Sequence, residues 1–105
     1  MSPPFKVGIT RDVLDSRGEP SFGRAALAIL DGAPGIEWEY LPEKVRELSA
    51  DHAARYDALY VNMARTPASV AARADCRLRV VARHGVGYDS VDVPAMTRAG
   101  VIVTN

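Results

Sequence analysis

Five short runs rich in β-branched or aromatic residues recur along the chain, and their spacing limits the fold more than any other feature. They are "FKVGIT" (5–10), "IEWEYL" (36–41), "ALYVN" (58–62), "LRVVA" (78–82) and "VIVTN" (101–105). Ala-rich or amphipathic stretches of helical character separate them. Such β-α alternation implies right-handed crossovers and a parallel sheet sandwiched between helices. "LRVVA" lacks an apolar/polar alternation, as expected for a strand covered on both faces. The expected architecture is a doubly wound parallel five-stranded α/β sheet, flavodoxin-like with order 2-1-3-4-5, and helices on both faces.

Local signals place the helices. In "GRAALAILDG" (23–32), Ala25, Ala26, Ile29 and Leu30 fall on one helical face and Gly32 can end the helix. Pro42 opens "EKVRELSADHAARY", with Ser49 a cap for a second short turn or helix. Thr66 is a candidate N-cap with Pro67 at the first helical position, where a missing N–H costs nothing. Asp92 before "VPAMTRAG" repeats that arrangement, and Gly100 is placed to end the last helix.

With 105 residues the chain suffices for one domain with a modest core. Its 48% hydrophobic and 25% charged residues fit a globular domain and exclude a disordered one. Thirteen basic and thirteen acidic residues cancel and are interspersed. That argues against nucleic-acid or anionic-membrane partners, which need a concentrated positive field. Cys76 is the only cysteine, so neither an internal disulfide nor a multi-cysteine zinc site can form. The start lacks a signal-peptide apolar region and no run approaches a membrane span, so a cytoplasmic location is expected.

Ligands of such sheets bind beyond the carboxyl ends of the strands, near the switch in strand order. Three loops qualify: "TRDVLDSRGEP" (10–20), "NMARTP" (62–67) and "RHGVGYDSVD" (83–92). The last resembles a dinucleotide turn but lacks its parts. Ser90 replaces the third glycine, five residues separate the glycines from the helix, and no acidic residue follows about 20 positions on. Two readings of the turn remain open. The amides around Val86 and Gly87 can hold a small anion such as a carboxylate, or the glycines form a plain tight turn with Asp89 and Asp92 capping local backbone.

The segment "RLRVVARHGVGYDSVDVPAMTRAGVIVTN" closely resembles the R-x-G-x-G-x-D-x-[VI]-D stretch of D-isomer-specific 2-hydroxyacid dehydrogenases, which include phosphoglycerate, glycerate and formate dehydrogenases. "YDALYV" and "IEWEYLPE" also look like that family's N-terminal half. The resemblance implies that residues 1–105 are a substrate-domain portion. The Gly85-Val86-Gly87 turn would take the carboxylate of a small D-2-hydroxy or 2-oxo acid by its Val86 and Gly87 amides. It also implies that NAD or NADP binds a second domain beyond this stretch, with Asn105 near the cofactor. The family's catalytic Arg, Glu and His fall outside the matched part. No catalytic residue, metal ligand or cofactor is therefore expected on this chain, which is expected to be inactive alone.

The substrate-binding candidates are Arg83, Gly85, Val86, Gly87, Asn62, Met63 and Ala64. Arg83 reads equally as a loop anchor or a substrate neighbour. Asn62 stands where phosphoglycerate dehydrogenases have an Arg, which weakens a phosphorylated substrate, although Arg65 is close enough in sequence to compensate. Thr10, Arg11 and Asp12 border the same crevice. His84 lies beside the turn but does not match the family's catalytic His. His52 is expected to be solvated on a helix face, and Cys76 to be structural. The last strand needs cover from the missing cofactor domain or another chain, and a homo-oligomer is one way to supply it. The competing reading is a non-enzymatic flavodoxin-like module binding a small anion or a protein. A phospho-receiver version fits poorly, because only Asp12 follows the first strand closely and Asn62-Met63 follows the third.

Overall fold

The computed structural model describes residues 3–85, 87 and 89–105. Five strands, β1 (Phe5–Ile9), β2 (Ile36–Tyr40), β3 (Ala58–Val61), β4 (Val80–Arg83) and β5 (Ile102–Thr104), form one sheet in the order β2-β1-β3-β4-β5. All four pairings are parallel. The expected class and strand order are both observed. The order reverses between β1 and β3, so the loops after these strands border the switch point.

Alternation along each strand divides the interior into two layers. Leu59, Val61 and Val81 point to one face, where α2 (Ala50–Arg55), a 3-10 turn (Ala68–Ala71) and α3 (Val93–Arg98) cover them. Val7 and Ile9 point to the other face, where Leu27 of α1 (Arg24–Asp31) packs on them. Gly8, between these two, faces the first layer. A Cβ there would stand 3.0 Å from both Leu59 and the Tyr56 ring, so β1 passes under Tyr56 only because position 8 carries no side chain.

Helix α1 covers only the β2–β1 side of its face. Val80↔Ile102 and Ala82↔Thr104 are in register across β4 and β5, and their side chains share this face with Ala58 and Tyr60. An apolar groove of about 340 Å³ runs here, lined by Phe22, Ala26, Leu30, Tyr60 and Ala82. Ile102 is 63% exposed.

Three local expectations are corrected. In α1 the buried residue is Leu27, whereas Ile29 is 74% exposed. The helix packs toward the β2 end of the sheet with Leu27 turned onto Val7 and Ile9, so its buried stripe is narrower than four residues. No helix begins at Pro42. Residues 42–48 form an irregular, bent segment in which Glu47 bridges Arg65 in parallel with Leu48 N–H donating to Arg65 O, because burial of Leu41 and Leu48 in the core layer outweighs helix propensity. Thr66 is not a cap. Its backbone bridges Val91, so the following turn starts one residue later, with Val70 N–H donating to Pro67 O. At α3 the expectation holds: Asp92 accepts from Ala95 N–H, and Gly100 has φ +79°.

Candidate functional site

The loops after β1, β3 and β4 meet at the carboxyl edge of the sheet. Thr10 is fully buried; its N–H donates to Tyr60 O, continuing the β1–β3 ladder beyond the strands. Its hydroxyl donates to Asp12 Oδ1 at 2.5 Å. Asp12 Oδ2 then accepts two consecutive backbone amides, Met63 N–H at 2.7 Å and Ala64 N–H at 3.0 Å. Asn62 Nδ2 donates to the Asp12 carbonyl at 3.1 Å. One carboxylate thus fastens the loop after β3 to the loop after β1. The fork of two amides on one oxygen is the form in which backbone N–H groups bind an anion.

Arg83, the last residue of β4, connects this loop to the next. Its Nη1 donates to His84 O at 2.6 Å, and its Nη2 lies 3.9 Å from Met63 Sδ. Its Nε is buried with no partner among the described residues. Gly85 has φ +121°, and a Cβ there would collide with Arg83 Nη1. The guanidinium therefore occupies space that only glycine leaves open, in a conformation that L side chains rarely adopt.

Of the expected site residues, Asn62, Met63, Ala64 and Arg83 come together, with Gly85 directly adjoining. Their states differ: Ala64 is buried and Met63 is 68% exposed. The Met63 and Ala64 amides are already bonded to Asp12, so they are not free donors for a ligand. Gly87 is exposed, with open space where a Cβ would stand. Val86 lies outside the described residues. Asn105 follows β5 and lines a small cavity of about 160 Å³ with Val93 and Val103, on the far side of β4 from the Asn62 loop.

His84 is held at three points. Its N–H donates to Val61 O at 2.6 Å, its carbonyl receives Arg83, and its Nδ1 is 2.6 Å from the Tyr60 hydroxyl. Burial raises the Tyr60 pKa above its ordinary value. Sequence reading missed this pair, since residues 24 apart on neighbouring strands carry no local signal. It also placed Asp12 at the rim without its central role.

His52 is not solvated. It is 6% exposed, and its Nδ1 accepts the Ser49 N–H at 3.0 Å, fixing the start of α2. An Nδ1 acceptor requires the neutral ring with its proton on Nε2. Burial, with Arg55 adding to it, lowers the His52 pKa below 6.5. Cys76 is half-buried against the core. Arg65 faces a polar cleft of about 330 Å³ that also includes Asp89 and Asp92.

The β4–α3 connection does not suit a dinucleotide. A pyrophosphate needs a free helix N-terminus close to its glycine turn. Here α3 starts at Val93, and the Asp92 carboxylate already fills that end with negative charge. Among the described residues no group of three His, Cys, Asp or Glu can hold a metal, and no helix is long and apolar enough to cross a membrane.

Comparison with known proteins gives a consistent picture. The family model described as D-isomer specific 2-hydroxyacid dehydrogenase, catalytic domain, matches residues 11–105. A D-3-phosphoglycerate dehydrogenase of Mycobacterium leprae is 38% identical over 82 residues, covering 78% of this chain and 15% of that protein. A glyoxylate reductase of Thermococcus kodakarensis is 34% identical over 100 residues, covering 95% of this chain and 28% of that protein. The NAD+-bound 3-phosphoglycerate dehydrogenase of Entamoeba histolytica superposes with a TM-score of 0.70 at 21% identity, over 95% of this chain and 32% of that one. At that identity the likeness is one of fold. This chain thus spans less than a third of the length of each of these relatives.

Proposed function

Because the chain belongs to the D-isomer specific 2-hydroxyacid dehydrogenase family, matched through the catalytic domain, we propose that it is the substrate-domain portion of an NAD- or NADP-dependent oxidoreductase. That enzyme acts on the CH–OH group of a small D-2-hydroxy acid or reduces the matching 2-oxo acid. The carboxylate lies against the backbone of the turn over 85–87, beside Arg83, and the rest of the molecule reaches toward Asn62 and Met63. The observation that carries this reading is Arg83, whose guanidinium at the carboxyl end of β4 meets both loops at once. A fixed guanidinium beside a glycine turn favours a planar anion.

Hydride transfer also requires a nicotinamide cofactor and a group that moves the hydroxyl proton. The dinucleotide does not fit the β4–α3 connection, and no residue described here is assigned the proton. The 105-residue chain alone therefore binds carboxylate without turning it over. An amide-resolved NMR titration with D-glycerate or glyoxylate tests the first part. Gly85 and Gly87 should shift saturably, and Arg83→Ala should weaken binding by ~10-fold. Unshifted glycines overturn the proposed site. NADH-dependent reduction of glyoxylate by this chain overturns the second part.

A further inference from the structure

The loop after β3 is in the position to meet the end of the substrate opposite its carboxylate, and its most distinctive feature is that its anion-binding amides are already occupied. Met63 N–H and Ala64 N–H both point at Asp12 Oδ2, at 2.7 and 3.0 Å. The Thr10 hydroxyl and the Asn62 side chain hold Asp12 from either side, through Oδ1 and the backbone carbonyl. Asp12 is only half-buried, so its charge is felt at the surface of the loop. Among the described residues the cation that reaches this loop is Arg83, whose Nη2 lies 3.9 Å from Met63 Sδ while its Nη1 is held on His84 O, so it touches the loop's side chain and not its amide fork. Asn62 is neutral, Arg11 Nε is turned to Leu41 O, and Arg65 faces the cleft containing Asp89 and Asp92. Arg83 is next to the turn that takes the first anion.

We propose that Asp12 is a specificity-determining residue: it fills the loop's amide fork with an internal carboxylate and thereby restricts the substrate to acids with one anionic group. A second anion, whether phosphate or carboxylate, would approach a loop with no free amide in the fork and a negative charge behind it. Two like charges at such range, partly screened by water, cost enough to shift a binding constant by ~10-fold. This inference rests on the proposed carboxylate site, and it selects a substrate class that differs from the phosphorylated acid in the M. leprae relative's name.

The test measures Kd for D-glycerate and D-3-phosphoglycerate by NMR titration on the 105-residue chain. The wild-type chain should bind glycerate ~10-fold tighter, and Asp12→Asn should remove most of that ratio. Asparagine keeps an oxygen for the two amides and removes the charge, so the loop's shape is retained. Amide shifts of Met63 and Ala64 confirm that it does. Should Asp12→Asn not fold, the wild-type ratio is followed as ionic strength rises: repulsion predicts that it falls toward one. A wild-type preference for 3-phosphoglycerate overturns the inference alone. So does a ratio that neither the substitution nor salt changes. If no acid binds either protein, the carboxylate site itself is wrong and this inference fails with it.

Discussion

His52 illustrates how a single residue can be misread from sequence. Its neighbours Ala50, Asp51, Ala53, Ala54 and Arg55 give it the pattern of an exposed helix position, yet Ser49 draws its ring inward to close the first turn of α2. Because the folded-state pKa is depressed, the neutral ring's contribution to stability is present above pH 6.5 and is lost as pH falls through the lower folded-state value. Denaturation midpoints should therefore drop below pH 6.5, and His52→Asn should flatten that part of the profile. An unchanged profile in the variant would assign the loss to other groups. Arg83 and Gly85 were legible because the residue types state their own geometry, a cation and a glycine at a strand end. Asp12 was legible only in position. Its partners are 51 and 52 residues away, and only the β1–β3 pairing brings them together.

At the level of elements, the strands were readable and the connections much less so. Five apolar runs gave five strands because burial on both faces leaves a local compositional mark. The helix expected from Pro42 does not start there, and the one expected from Thr66 begins a residue later and is only a 3-10 turn, because Leu48 and Thr66 donate backbone bonds sideways, to Arg65 and Ser90, in pairings no local window contains. Gly8 shows the converse, a local residue explained by distant packing. Gly8→Val should destabilise the chain by about 2 kcal/mol, since Tyr56 and Leu59 must both retreat from β1. Denaturant unfolding monitored by circular dichroism gives the value. A neutral substitution would mean the two side chains relax freely. Register β1–β2 and β1–β3 run through Gly8, so this one position bears on the central pairings of the sheet.

For the whole molecule, the part of the sheet that α1 leaves uncovered is the feature expected to govern association in solution. Ile102, the groove walls and the unpaired side of β5 together form an apolar surface next to a strand edge. Such surfaces associate. Sedimentation should show self-association that grows with concentration, and Ile102→Lys should suppress it without lowering the melting temperature. A monodisperse monomer across a wide concentration range would contradict this.

The Asp12 fastening has a further consequence, one of timing. The loop after β3 contains neither Thr10 nor Asp12, so its conformation is set from the turn after β1, 51 residues earlier in the chain. The loop takes its final shape only after β1 has docked beside β3, a long-range pairing of the kind that forms slowly. By linkage, a molecule that binds the ordered loop also holds β1 in place. Ligand affinity and the integrity of the first strand are therefore two measures of one equilibrium.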